Sequence, residues 1–548
     1  MKPFTSKFLV PRPRAQHEGG AISLPPGRNK DDVSNICDGA APGLPSKFLD
    51  DRARFDARRA DWRYGHTIYQ IFVDRFVPSR RLEGKRKHYA APRVLRPWSE
   101  DPGHGKFLDD VRNHEGELQF WGGDFDSLTT KLDYLQELGV DMVYLNPVFE
   151  AFTNHKYDGM DYFAIDPQYG SKNELKELAD ELHGRKMRLM LDGVFNHMGR
   201  RAPMFQRALA SETAPERDWF YFGAEHKNGY RGWRNVANLP EINLENPAVR
   251  AMAIEGDDSA VVHYLRDVGI DGWRLDVGPD VGFEYLATIT RESHRVRPDS
   301  VVIGECWNYP EEWLHAMDGT MNMHARAVLL AMIEGRMSVN HTARAFERMI
   351  ADCSMEGLLR SHLVLDNHDL PRIATVLKTR GEQVVARILQ FTLAGCPVVY
   401  YGSEFGMLGG ADPTNRGPMR WELESDDNEE LQLVRSLIHL RKENAALRIG
   451  DIRMLETERL FAFLRRTDLA RESILVIANP SDEEVAEFIP VRDSRWMDAA
   501  PVRCLLSGAR LTLHCGIVEA KVPPHSVQVF RTEDRGSSAG YSMFKRVP

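Results

Sequence analysis

The chain has 548 residues, of which 42% are hydrophobic and 28% charged, with a formal net charge of −9. That length exceeds what one hydrophobic core usually supports, so one large domain with a smaller appended one is expected. The acidic balance argues against a nucleic-acid partner, whose phosphates require a basic excess, and no apolar run approaches the length of a membrane span.

The N-terminal segment MKPFTSKFLVPRPRAQHEGG has no apolar signal core, so a soluble cytoplasmic protein is expected. Twelve prolines and glycines fall among the first fifty residues without sustained periodicity, and residues 1–60 read as an irregular extension. From Ile68 onward, short apolar runs alternate with amphipathic helical stretches such as FDSLTTKLDYLQELG, NELKELADELHGRK and EQVVARILQFTLAG. Strands are expected at 68–76, 140–148, 187–195, 270–277, 301–305, 362–366 and 397–401, with an eighth near 317–323. Eight such units close naturally into an α/β (β/α)8 barrel, here over 61–197 and 247–435. A doubly wound open sheet is the alternative, but no Gly-rich phosphate loop follows 68–76. Between the third and fourth strands, residues 198–246 make a connection far longer than a βα loop and read as a small inserted domain. Its aromatic residues Trp219, Phe220, Tyr221, Tyr230 and Trp233 serve equally well as a small core or as a platform on which a ligand stacks. Short alternating segments over 436–535 predict an antiparallel β-sandwich, followed by a disordered tail at 536–548. The six cysteines are scattered without a CxxC pair, so neither zinc nor a disulfide framework is indicated.

Chemistry in such a barrel sits at the C-terminal ends of the strands. Those ends read Asp192-Gly-Val-Phe-Asn196-His197, Arg274-Leu-Asp276, Gly304-Glu305-Cys306-Trp307 and Asn367-His368-Asp369. Three carboxylates, Asp276, Glu305 and Asp369, therefore converge on one mouth, as glycoside hydrolysis requires when one carboxylate attacks and another donates a proton. Proximity of like charges raises at least one carboxyl pKa. Arg274 lies two residues before Asp276, on the same strand face, where it can hold that carboxylate ionised and aimed.

The motifs DGVFNH, GWRLDV, GECW and LDNHD, in this order, resemble those of the α-amylase superfamily, glycoside hydrolase family 13, over about residues 64–535. By that resemblance Asp276 is the nucleophile that forms a covalent glycosyl intermediate, Glu305 the general acid and then base, and Asp369 a grip on sugar hydroxyls. Arg274, His197, Asn367 and His368 would contact the site or its sugar, Tyr157 would stack on the sugar, and Asp192 and Asn196 would support the mouth. The stretches TNHKYDGMDYFAIDPQYGS, LPEIN and QFTLAGCPVVYYGSEFGMLGG resemble the cyclomaltodextrinase, neopullulanase and maltogenic amylase branch. The segment Gly278-Pro279-Asp280 departs from the Ala-Asn-Glu usual there, at a position that shapes acceptor subsites. The loop VPSRRLEGKRK is basic where calcium-binding relatives are rich in Asp and Asn, so no metal is expected, and no organic cofactor is implied.

The implied activity is retaining hydrolysis of α-1,4-glucosidic bonds in maltodextrins or cyclodextrins, with the oligosaccharide as the principal partner and a homo-oligomer left open. A transglycosylase or glucosyl isomerase would use the same intermediate, because a sugar hydroxyl competes with water for it. A non-catalytic carbohydrate-binding homologue is a third reading, opposed by the presence of all three carboxylates. Arg274 and Asp276 could alone be a buried ion pair, and His197 and His368 satisfied structural histidines.

Overall fold

A computed structural model describes residues 46–498 and 501–533 of the chain. Eight parallel strands close a barrel: β1 (Ile68–Ile71), β2 (Met142–Leu145), β3 (Arg188–Gly193), β4 (Gly272–Leu275), β5 (Val301–Cys306), β6 (Gly319–Asn322), β7 (His362–Val364) and β8 (Cys396–Tyr400). Each strand pairs with its sequence neighbours, and β8 pairs back onto β1 with Ile68 opposite Val398. The eighth strand expected near 317–323 is β6. Most strands are shorter than expected. After Ile71 the run turns into a 3-10 turn over Val73–Arg75, where Asp74 accepts backbone hydrogen bonds from Trp121 and Gly122, so a buried charge ends the strand.

Alternation along the strands separates two cores. Ile68, Met142, Tyr144, Met190, Val301, Ile303, Met321, Val364 and Val398 fill the barrel interior. Their neighbours, such as Val143, Leu189, Leu191 and Trp273, face the surrounding helices. Helix α1 (Ser46–Ala60) precedes the barrel, α2 (Lys172–Gly184) follows β2, α3 (Pro203–Ala210) follows β3 and α4 (Arg380–Thr392) precedes β8. Ser171 with Glu174 and Thr379 with Glu382 close capping boxes on α2 and α4, satisfying backbone N–H groups that begin each helix. The helix expected over FDSLTTKLDYLQELG is broken into Phe125–Thr129 and Leu132–Leu138.

Helix α1 corrects the irregular extension expected through residue 60. Phe55 is buried, and the buried Arg58 donates to Ile449 O and Asp451 Oδ1. The expectations for residues 1–45 and 536–548 lie outside the described residues.

After the barrel, the described residues form nine antiparallel strands: β9 (Asp451–Met454), β10 (Phe461–Arg466), β11 (Ser473–Asn479), β12 (Val485–Pro490), β13 (Val502–Cys504), β14 (Arg510–Leu511), β15 (Leu513–His514), β16 (Ile517–Val522) and β17 (Ser526–Thr532). They form a six-stranded sheet in the order β9-β10-β11-β17-β13-β14 and a three-stranded sheet in the order β12-β16-β15. Leu464, Leu475, Ile477, Ile489, Val518 and Phe530 fill the core they share. The opposite face of the large sheet presents Phe461, Phe463, Val476 and Val529 to the core of the barrel. Two connections depart from βα-loop length. Besides the one after β3, the chain between Ile71 and Met142 makes an excursion with short strand pairs, including Phe107–Leu108 against Asn113–His114.

Candidate active site

Strand β4 is buried along its whole length yet contains an arginine. Register accounts for this. Trp273 points outward against Phe195 and Tyr264, so Arg274 points into the barrel. There it lies beside Asp192 of β3 and Ile303 of β5, and Glu305 stands two residues further along β5 on the same side. The Arg274 Nη1 atom donates to Asp192 Oδ1 at 2.8 Å and to Asp276 Oδ1 at 3.1 Å, while Nη2 lies 2.9 Å from Glu305 Oε2. One fully buried guanidinium thus gathers three carboxylates.

The electrostatic consequences follow from burial. Burial opposes the charge on Arg274, but Asp192 and the other surrounding groups raise its pKa well above the usual value and keep it a cation. Burial raises the pKa of Asp276 well above the ordinary aspartate range; Arg274 pulls it down, and Glu305, Asp192 and Asp369 push it up further. Asp192 is raised in the same way by burial, against Arg274 and the hydroxyls of Tyr144 and Tyr157, which donate to its Oδ2 at 2.6 and 2.8 Å.

Glu305 receives two further donors. Trp307 Nε1 donates to its Oε1 at 2.6 Å and the Val277 backbone N–H to its Oε2 at 3.0 Å. The second donor depends on a left-handed backbone at Val277, with φ 43°, which costs a β-branched residue about 1–2 kcal/mol. That turn directs the peptide after Asp276 toward the end of β5.

The remaining walls come from other strand ends. Asp369 lies 3.1 Å from His368 Nε2 and 3.3 Å from Arg416 Nη2, and Arg416 also pairs with Asp412. Gln70 donates to His368 Nδ1 at 2.9 Å, so the imidazole proton sits on Nε2 and faces Tyr157 Oη, which in turn donates to Asp192. Burial holds His368 well below the usual histidine pKa and lowers His197 to about 3, so both rings are neutral. His197 Nε2 is buried without a hydrogen-bond partner, 3.9 Å from Asp276 Oδ2, and so has a polar atom to offer a ligand. Asn196 faces His197 Nδ1 at 3.3 Å. Gly199 lets this segment reach the Tyr157 turn, since a Cβ there would lie 2.2 Å from Asp158 O.

The structure therefore brings Asp276, Glu305, Asp369, Tyr157 and His197 onto one cleft of about 570 Å³, with Arg274, His368, Asp192 and Asn196 beneath or beside it. Asn367 does not line the cleft: it is fully buried, and its Oδ1 accepts from the backbone N–H groups of Asp369 and Leu370 and so shapes the turn that presents Asp369. The aromatic residues of the insertion divide as neither reading alone described. Phe220 and Tyr230 pack on Phe205 of α3, with ring centroids 4.9 and 4.8 Å apart. Trp233 instead faces the cleft, its ring 5.8 Å from that of His197.

Several lining groups were not singled out from sequence: Asn113 and Glu117 of the excursion after β1, His155, and Arg416 with Asp412 beyond β8. The clue for the last pair was their polar segment after a predicted strand. Nothing in the sequence placed the excursion over the cleft.

Residues 70–450 match the family model described as alpha amylase, catalytic domain. The chain is 32% identical over 488 residues to a cyclomaltodextrinase of Geobacillus thermopakistaniensis, covering 86% of this chain and 78% of that protein. It is 33% identical over 421 residues to an intracellular maltogenic amylase of Bacillus subtilis, covering 74% and 67% respectively. Among solved structures, the ligand-free cyclic α-maltosyl-(1→6)-maltose hydrolase of Arthrobacter globiformis superposes with a TM-score of 0.73 at 26% identity, covering 86% of this chain and all of that one.

Proposed function

Because this chain belongs to the α-amylase family, we propose that its cleft hydrolyses α-1,4-glucosidic bonds of maltodextrins or cyclodextrins by double displacement, with Asp276 as nucleophile and Glu305 as acid and base. The observation that carries this reading is the single Arg274 guanidinium that holds both carboxylates at the floor of one cleft. Arg274 engages Asp276 Oδ1, which leaves Oδ2 for the anomeric carbon. That oxygen bonds to the carbon as the bond to the glycosidic oxygen breaks, and Glu305 passes its proton to the departing oxygen. Water then attacks the same carbon, gives its proton to Glu305 and displaces Asp276 as the carboxylate. Asp369, neutral His197 and the Tyr157 ring grip the sugar that carries the reacting carbon. Action on oligosaccharides inside the cell belongs to this reading, supported by the similarity to an intracellular maltogenic amylase.

Replacing Asp276 by Asn or Glu305 by Gln is expected to lower kcat on maltohexaose by about 10²–10⁴-fold, the usual worth of such groups. Maltosyl fluoride separates the two roles, since fluoride leaves without a proton. Glu305→Gln should retain a first-turnover burst of fluoride, because only the later attack of water then needs Glu305, and Asp276→Asn should give none. An unchanged rate in either variant on maltohexaose would remove that residue from the mechanism.

A further inference from the structure

The direction of the cleft follows from the two carboxylates. The leaving sugar lies on the Glu305 side, toward Trp307, and the sugar that Asp276 attacks lies under Tyr157. Glu305 ends β5, and the chain that follows β1, the strand across the barrel from it, carries Glu117, whose Oε1 is 3.5 Å from His155 Nε2; the His155 ring centroid is in turn 5.8 Å from that of Tyr157. Glu117 is fixed rather than free: its Oε2 accepts from the His114 backbone N–H at 2.7 Å and from Asn113 Nδ2 at 3.2 Å. Burial works against its charge, but His155 and these donors bring its pKa down to about 2.

The same excursion is fastened to the insertion. The Asn238 side chain donates to the carbonyl of Arg112, a residue held at φ 58° immediately before Asn113. Asn113 and Glu117 on one side and Asn238 on the other line the same cleft, so the hydrogen bond joins its two banks.

We propose that this clasp closes the non-reducing side of the cleft and that Glu117 with His155 reads the free hydroxyls of a terminal glucose, so that the enzyme favours linear maltodextrins, held by their chain end, over cyclodextrins. The inference rests on the assignment of Asp276 and Glu305, which sets the cleft's direction. An ionised carboxylate accepts sugar hydroxyls through charge-assisted hydrogen bonds. A site built to bond a hydroxyl also rejects an analogue in which that hydroxyl is capped, because its own polar groups are left unpaired.

The test compares kcat/KM for p-nitrophenyl maltoheptaoside with that for the same compound capped by a 4,6-O-ethylidene group on its non-reducing sugar. The wild-type enzyme is expected to favour the free-ended substrate by about tenfold or more. In Glu117→Ala and in Asn238→Ala that ratio should fall toward one, with the capped substrate gaining relative to the free one. Equal rates on the two substrates in the wild-type enzyme would overturn the closed end. A wild-type preference that survives in both variants would remove Glu117 and the clasp from it. Cleavage of neither substrate would instead overturn the assignment of the cleft on which the inference stands.

Discussion

Asp276 and Glu404 show how burial tunes single acids to different ends. At Asp276, burial and three neighbouring carboxylates raise the pKa while Arg274 restrains it. The nucleophile must be ionised, so kcat/KM should fall as pH drops through this raised value, above the roughly 3.9 of a free aspartate. A pH–rate profile whose acidic limb lies at that ordinary value would contradict the burial argument. No limb near the usual histidine value should arise from His197 or His368, which are both neutral there. Glu404 does not line the cleft. It is fully buried, accepts from the hydroxyls of Tyr69 and Tyr134, and is raised by burial to about 7. A group whose folded pKa is raised contributes stability that is complete below its unfolded pKa, near 4.5, and is lost as pH rises through the folded value. Glu404→Gln carries no charge to bury, so its melting temperature should gain on the wild-type enzyme between pH 5 and pH 8. A constant difference across that range would show that Glu404 titrates normally. At this scale the sequence was informative where residues repeat a pattern: Arg274 and Asp276 at a spacing of two had to share a strand face. It was silent on Glu117, whose place over the cleft depends on a chain excursion with no periodic signal.

Elements fit together here through arginines that reach the carbonyl ends of helices. Arg465 of β10 is fully buried and donates to Thr392 O at 2.8 Å, Leu393 O at 2.7 Å and Gly450 O at 2.9 Å. The first two carbonyls belong to the end of α4, where backbone acceptors lack partners within the helix. Arg465→Ala would strand several buried acceptors and should cost about 3 kcal/mol, at the upper end of what one unsatisfied buried group costs. Urea unfolding would measure this, and a loss below about 1 kcal/mol, the value of an ordinary hydrogen bond, would mean that water replaces the guanidinium. Element boundaries were the least legible part of the sequence. The first strand stops at Ile71 rather than continuing to Phe76, because Asp74 is needed to anchor Trp121 and Gly122. Helix α1 went unread because its buried contacts, such as that of Arg58 with Asp451, come from residues almost 400 positions away.

At the scale of the molecule, barrel and C-terminal sheet share one apolar core. Phe461, Phe463, Val476 and Val529 belong to the same continuous core as the helix-facing side of the barrel, and Phe346 lies 5.7 Å from Phe461. Calorimetry should accordingly show a single transition, and a chain ending at residue 450 should fail to yield soluble protein, because the exposed apolar face has no substitute cover. Two separate transitions, or a soluble active truncation, would show that the sheet is an accessory. The insertion after β3 touches the barrel on both banks of the cleft, through Trp233 Nε1 on Asp280 at 3.0 Å and through Asn238 on Arg112.

The sequence by itself determined the barrel, its eight strands and the three carboxylates at their ends, because a strand's period and the order of the motifs are local properties of the chain. It also placed Arg274 beside Asp276, for the same reason. Only the tertiary structure decided that one guanidinium serves three carboxylates, that Asn367 turns inward, and that the insertion splits into a core at Phe220 and Tyr230 and a cleft wall at Trp233. Those outcomes depend on register between neighbouring strands and on where long loops come to rest, which are set by packing between residues far apart in the chain.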